Sequence, residues 1–218
     1  MAKRKEFTNN QFKPFTAKTK AQKLYFNTII EKILVFATGP AGVGKSAIAV
    51  AAAAESLYNN RIESLVLSRP AVEAGEKLGF LPGSLDEKYE EYIVPVRSIL
   101  DECLGKSHVE GYLSSGRIQA VPLAFCRGRT FSNSFVILDE AQNTTPDQMK
   151  MFLTRIGEGS KMVVNGDITQ KDIKGMSGLE DAIKRLDWMV EVGHVQFDRN
   201  DCVRHGIVSD ILASYEDK

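Results

Sequence analysis

Eight consecutive residues, Gly39-Pro40-Ala41-Gly42-Val43-Gly44-Lys45-Ser46, constrain this chain more than any other feature. They complete the pattern G-x-x-x-x-G-K-[ST], directly after an apolar, β-rich run at residues 33–37 and directly before an alanine-rich helical run at residues 46–58. A strand turning through glycines into a helix start is a phosphate cradle. Glycines let the backbone approach an anion closely, and the loop amides and the helix N-terminus present partial positive charge. Lys45 would reach the β and γ phosphates of a nucleotide, and Ser46 would ligate Mg²⁺.

Further β-rich runs at residues 65–67, 118–123, 135–138, 162–164 and 194–197 are each short enough for a buried parallel strand. Helical patterns separate most of them. Residues 86–104 are amphipathic, though interrupted by Pro95, and Thr145, Pro146 and Gln148 form a capping box that predicts a helix to about Ile156. Ser177 and Glu180 repeat the device for residues 179–189, and Asp201 can cap a last helix through Tyr215. Strands alternating with helices predict an α/β fold on a mainly parallel sheet, flanked by helices on both faces.

At 218 residues the chain fits one domain, and 43% hydrophobic with 26% charged residues excludes collagenous, disordered and membrane classes. The longest wholly apolar run, residues 47–54, is far below the ~18 residues of a membrane span. No apolar segment follows the basic start as a signal peptide requires. Cys103, Cys126 and Cys202 are odd in number and widely spaced, so neither a disulfide framework nor a zinc ribbon is indicated, and a reducing, cytoplasmic setting is expected. With 28 basic and 28 acidic residues there is no bulk field for nucleic acid, so any such site must be a local patch. Residues 1–23 carry seven basic residues against Glu6, and residues 73–110 carry nine acidic against four basic. Each reads as a solvated surface, or the first as a basic arm for nucleic acid or a neighbouring subunit.

The run Phe135-Val136-Ile137-Leu138 ends in Asp139-Glu140, which delivers two carboxylates to the edge of a sheet where ligands bind. Asp139 would hold Mg²⁺ through its water shell, and Glu140 could take a proton from an attacking water; a capping pair at a strand end is the plainer reading. Likewise, residues 162–165 run into Gly166-Asp167-Ile168-Thr169-Gln170. Gln170 could bond both the γ-phosphate and a water, or the segment could be a turn with Asp167 serving local backbone groups. His108 and His194 have no second ligand at metal spacing.

Taken together, these residues closely resemble the PhoH-like ATPases, relatives of the ATPase core of superfamily-one helicases. The resemblance covers residues 18–215, through Thr19-Lys20-Ala21-Gln22, the phosphate loop, residues 68–83, Arg127-Gly128-Arg129-Thr130, Asp139-Glu140-Ala141-Gln142-Asn143-Thr144-Thr145-Pro146, the Gly166 to Gln170 segment and Val203-Arg204-His205. Ala21 and Cys202 stand where glycine and valine are usual. The resemblance implies a RecA-like P-loop fold over residues 18–218 behind a basic arm at residues 1–17, with ATP and Mg²⁺ as cofactors. It implies that Gln22 reads the adenine edge, that Arg69 contacts a nucleic-acid backbone, and that Arg204 stabilises charge on the transferring phosphate. The chain looks like the short form also found in phages, which would act in the host cytoplasm.

An Mg²⁺-dependent ATPase acting on single-stranded nucleic acid, RNA foremost, is therefore expected, with Arg69, Arg127 and Arg129 as its basic surface. The other reading is an oligomeric scaffold that ATP orders and hydrolysis resets. A small-molecule kinase would leave the Gly166 to Gln170 segment without a reason. Because one α/β domain has difficulty bringing Arg204 back over its own phosphate loop, a head-to-tail ring is expected, a hexamer by analogy, with Arg204 acting in trans.

Overall fold

All six apolar runs form strands: β1 (Leu34–Thr38), β2 (Ser64–Ser68), β3 (Ile118–Ala120), β4 (Ser134–Leu138), β5 (Lys161–Gly166) and β6 (Val192–Gln196). The computed structural model describes residues 12–70 and 85–203. Every strand pair is parallel, in the order β3-β2-β4-β5-β1-β6. Period two divides the strand residues between two cores. Val35, Ala37, Leu67, Ile137 and Val163 face the first, with helices α1 (Lys20–Glu31), α2 (Lys45–Tyr58), α3 (Leu85–Leu104) and α4 (Lys106–Ser114). Phe36, Val66, Val136, Leu138 and Val164 face the second, with α5 (Pro146–Leu153) and α6 (Gly178–Leu186). Helices on both faces of a parallel sheet are what the alternating pattern predicts.

The alanines of α2 have a packing reason. Residues Ala49 and Ala51 to Ala54 are all buried, because α2 lies against β2, β4 and β5 while touching α1 on one flank and α3 on the other. Small side chains let several neighbours approach one helix closely. Across from it, α1 buries Gln22, Tyr25 and Ile29, a spacing that sets them on one helical face. Tyr25 Oη donates to Asn165 Oδ1 at 2.5 Å, and neither side chain is exposed. Burial above all, and then the charge of Asp139, pushes the Tyr25 pKa well above its usual value, so the phenol remains a donor. Its ring meets Phe197 edge-on at 5.5 Å, tying α1 to the segment after β6.

Four boundaries differ from expectation. Helix α3 runs unbroken through Pro95, since Tyr92, Val96, Leu100 and Leu104 are buried and hold it despite one missing N–H. Helix α5 stops at Leu153, because Arg155 O accepts Phe131 N and Ile156 bridges to Phe131, which draws the chain into extended pairing. Helix α6 stops at Leu186, where a turn closed by Met189 N and Leu186 O redirects the chain to β6. Strand β3 stops at Ala120, since Pro122 introduces a 3₁₀ turn at Leu123–Cys126. Both capping boxes form, at Thr145 with Gln148 and at Ser177 with Glu180. The helix expected after Asp201 falls outside the described residues; Asp201 itself ends a 3₁₀ turn capped by Asp198. At the other end, Phe12 stacks on Tyr58 and Phe15 on Phe26. Among the described residues Cys103, Cys126 and Cys202 are free thiols, and no helix is long and apolar enough to cross a membrane.

Replacing Tyr25 by Phe keeps the ring and its contact with Phe197 but leaves a buried amide without its donor. The expected cost is about 1–3 kcal/mol, read from the shift of the urea midpoint at unchanged slope. An unshifted midpoint would mean that the Tyr25 to Asn165 bond contributes nothing to stability.

Candidate functional site

Three parallel strands end side by side, and the segments that leave them build the site. Strand β5 lies between β1 and β4, with Ala37 level with Asn165 and Leu138 level with Val164. The phosphate loop after β1, the carboxylates after β4 and the turn after β5 therefore share one edge of the sheet. Together they line a cleft of about 310 Å³, with Lys45, Ser46, Asp139, Glu140, Asp167 and Gln170 on its walls and Pro95, Val96 and Ile99 of α3 on one side.

Loop geometry is dictated by the glycines. Gly39 has φ +140°, and a Cβ there would lie 2.6 Å from Phe197 O, so only glycine fits between the loop and the segment after β6. Gly44 has φ +93° and would press a Cβ to 3.1 Å from Gln22 Nε2. Gly39 N also bonds Gly166 O at 3.3 Å, which joins the loop to β5. Pro40, Ala41 and Gly42 form the outward turn, and Val43 is buried in the core below it. Gln22 is only 2% exposed: its Nε2 donates to Val43 O at 2.9 Å and its Oε1 accepts Lys18 N at 2.8 Å. One end of this amide thus braces the loop from beneath, and the other holds the segment that leads into α1.

Lys45 Nζ donates to Gly39 O at 2.6 Å and Pro40 O at 2.9 Å, folding back over the cradle. Burial lowers its pKa from the ordinary lysine value, and Asp167, Asp139 and Glu140, in that order, pull the other way. Ser46 Oγ lies 3.0 Å and 2.9 Å from the two oxygens of Asp139. A hydroxyl and a carboxylate this close form the hard-oxygen pair that Mg²⁺ takes from a protein when phosphates and waters complete its shell. No group of three His, Cys, Asp or Glu forms a protein-only metal cage among the described residues. Arg69 also reaches this point, with Nη2 3.0 Å from Asp139 Oδ2 and its side chain 29% exposed. Its guanidinium thus belongs to the cleft, whereas Arg127 and Arg129 are exposed on the turn after Cys126.

Glu140 adopts φ +56°, ψ +35°, the left-handed region that a non-glycine residue rarely occupies. Gln142, two residues on and 2% exposed, holds it there: Nε2 donates to Glu140 Oε2 at 2.8 Å and more distantly to Gln170 O at 3.4 Å. At its other end Oε1 accepts Asp167 N at 3.0 Å. One buried amide therefore couples the end of β4 to the turn after β5. It stands inside the Asp139 to Pro146 motif, and nothing in its residue type separates a structural clasp from a surface glutamine. The turn itself uses Asp167 Oδ1 to accept Thr169 N and Thr169 Oγ1, at 3.0 and 2.6 Å, and leaves Gln170 exposed on the cleft wall. Asp167 thus serves the local turn while Gln170 lines the cleft. Asp167 Oδ2 is buried without a partner among the described residues.

Arg204 lies outside the described residues, as does most of the 68–83 motif beyond Pro70. The residue before it, Val203, donates its N–H to Gly42 O at 3.2 Å. The chain thus returns to its own phosphate loop, because β6 is hydrogen-bonded beside β1 and Phe197 N continues that ladder to Thr38 O. The difficulty expected in bringing this segment back over its own loop is not met as far as Val203. His194 is taken up by Thr38 Oγ1 at 2.9 Å, which leaves it a structural partner of β1.

Comparison with known proteins extends the match beyond the cleft. The chain is 47% identical over 214 residues to a PhoH-like protein of Bacillus subtilis, an alignment covering 97% of this chain and 67% of that protein. It is 46% identical over 206 residues to Protein PhoH of Escherichia coli K12, covering 93% of this chain and 58% of the relative. The chain therefore spans roughly three-fifths to two-thirds of the length of these relatives. Among solved structures, the Pif1 helicase of Candida albicans aligns at 14% identity with a TM-score of 0.46, over 93% of this chain and 44% of that one. The fold is the parallel α/β sheet flanked by helices on both faces that the sequence predicts, with the phosphate loop between β1 and α2. With the PhoH-like protein family model matching residues 14–216, which include the loop, both carboxylates and the clasp at Gln142, the chain belongs to the PhoH-like family.

Proposed function

We propose that this chain binds ATP with Mg²⁺ in the cleft and hydrolyses it, and that turnover serves the binding or remodelling of single-stranded nucleic acid, RNA foremost. The observation that carries the ATPase reading is the meeting of Lys45, Ser46, Asp139, Glu140 and Gln170 around one opening, from three separate strand ends. Loop amides and the start of α2 would take the β-phosphate, and Lys45 would turn from Gly39 O and Pro40 O toward the β and γ oxygens. Ser46 and Asp139 would hold Mg²⁺, which supplies neutralisation of the charge on the phosphate oxygens.

Glu140 would accept a proton from water, a role supported by the Gln142 bond that keeps its Oε2 from rotating away. Gln170 has a side-chain amide at the cleft wall that is uncommitted among the described residues, and it would donate to the γ-phosphate and accept from the same water. Gln22, committed beneath the loop, would read adenine only by exchanging its bond to Lys18 N or Val43 O. Arg204 would stabilise charge on the transferring phosphate. The Val203 to Gly42 bond favours its delivery within one chain, and the ring with Arg204 in trans is the competing arrangement.

Glu140→Gln should retain ATP binding and lose turnover by ~10²-fold or more, whereas Lys45→Ala should weaken ATP binding itself. Equilibrium binding of a labelled ATP analogue beside single-turnover hydrolysis separates the two. Undiminished hydrolysis by the glutamine variant would remove Glu140 from the reaction.

Gln142→Glu keeps an acceptor for Asp167 N but sets a second carboxylate against Glu140. Like charge raises a carboxyl pKa, and the base works only when deprotonated, so the acid limb of kcat should move to higher pH. Roughly 10-fold of activity should be lost at neutral pH and partly regained in alkali. A pH profile of unchanged shape would leave Gln142 with a packing role only.

Mixing Arg204→Ala with Glu140→Gln decides between the two deliveries. Delivery within one chain predicts no recovery of ATPase activity despite subunit exchange; partial recovery would establish a shared interface and the oligomer with it.

A further inference from the structure

The 3₁₀ turn at Leu123–Cys126 and the residues after it stand apart from the cleft yet begin at its wall. Leu123 N donates to Arg69 O at 3.1 Å, and Ser68 Oγ lies 3.8 Å from Cys126 Sγ, so the turn hangs from the end of β2. Phe125, in the middle of the turn, is 58% exposed, a large apolar ring that the fold does not use. Beside it Arg127 and Arg129 are exposed, and Arg155 reaches the same place, its Nη1 directed at Arg129 O at 3.4 Å. Burial pushes the Cys126 thiol pKa up, while Ser68 and then the charges of Arg129 and Arg155 draw it down, which sets both guanidinium groups around this turn. Among the described residues none of these three arginines has a carboxylate within ion-pair distance.

A groove of about 480 Å³ opens next to the ring, lined by Leu113, Ile118, Ala120, Val121, Phe125 and Arg129 among others. Its floor is the edge strand β3, which among the described residues pairs only with β2. Arg117 O accepts Leu65 N, and Val121 N donates to Leu67 O, so the bonds to β2 fall on every second residue. The N–H and C=O groups of Ile118 and Ala120 consequently face the groove.

An exposed aromatic face with three guanidinium groups around it, none paired with a carboxylate among the described residues, complements a flexible polyanion whose charged backbone carries stackable rings. We infer that the Phe125 to Arg129 turn, with Arg155 and the groove beside β3, is a binding platform for single-stranded nucleic acid, a base stacking on Phe125 and flanking phosphates pairing with the arginines. Stacking needs an unpaired base, so the platform takes single strands and excludes duplex. The inference rests on the nucleic-acid part of the proposed function and supplies its place on the molecule.

Fluorescence anisotropy of labelled oligo(U) and oligo(dT) with the full chain tests it. Wild-type protein should bind either strand and leave a blunt duplex of equal length unbound. Phe125→Ala should weaken binding about 10-fold, and Phe125→Trp should restore it while Phe125→Leu does not, since leucine keeps apolar area without a stacking face. Arg127→Glu and Arg129→Glu should each weaken binding and flatten the dependence of log affinity on log salt by about one unit. Phe125 is exposed, and a thermal midpoint close to wild type verifies that each variant folds. Single-strand binding by the wild type, with Phe125→Ala and both arginine variants unaffected, would overturn the platform and leave the broader function standing. Absence of any single-strand binding by the wild type would overturn both. Hydrogen-exchange protection of the Ile118 and Ala120 amides that rises with protein concentration and ignores oligonucleotide would assign the groove to strand pairing with a second copy, and so overturn the platform.

Discussion

The two parallel ladders made by β5, one to β1 and one to β4, set the distances in the cleft. Each strand end is fixed by a row of backbone bonds, so the loop after β1 and the carboxylates after β4 stand one strand apart, with the turn after β5 filling the interval. A one-residue slip of β5 would turn Asn165 away from Tyr25 and carry Val164 into the first core, which two-sided burial resists. Side-chain clasps then refine what the ladders define: Gln22 under the loop, Gln142 between Glu140 and Asp167, and Arg69 on Asp139.

The cleft concentrates opposing charges. Lys45 is surrounded by Asp167, Asp139 and Glu140 in a site where burial already disfavours its ammonium form. Three carboxylates around one partly buried lysine balance only while each has a partner. Asp139 has Ser46 and Arg69, Glu140 has Gln142, and Asp167 spends one oxygen on Thr169 and keeps the other unpartnered among the described residues. An arrangement of this kind holds its polar groups in place before a polyphosphate arrives, which lowers the reorganisation needed to bind one.

Much of this was legible in the residues, for reasons that vary by position. The inner strands β1, β2, β4 and β5 announce themselves because both faces of the sheet are covered there, giving each an apolar run, and the two capping boxes are local chemistry that sequence spells out. Gly39 to Ser46 is legible because its conformation demands glycines. Helix α3 was harder, since Pro95 signals a break and only burial of the surrounding residues carries the helix through. Gln142 and Gln22 were harder still. An amide has the same letter whether it clasps two backbone segments or meets water, and only the sheet order brings residues 142 and 167, or 22 and 43, into reach. Arg69 shows the same limit: its guanidinium pairs with a carboxylate seventy positions away. Phe125 offers no periodic signal, because its exposure arises from a short 3₁₀ turn after Pro122.

Arg69 has a consequence of a thermodynamic kind. Its side chain is held by Asp139 and its carbonyl by Leu123, so one residue is bonded to both the carboxylate side of the cleft and the exposed turn. If the proposed nucleotide alters the Asp139 side and the proposed strand alters the turn, both act through this residue, and their affinities would be linked by a single free energy. Linkage is reciprocal: the factor by which a nucleotide changes the grip on a strand equals the factor by which that strand changes the grip on the nucleotide. A coupling of about 1–3 kcal/mol, ordinary for such links, would make each ligand sense the other about 5- to 150-fold through the backbone and side chain of one arginine.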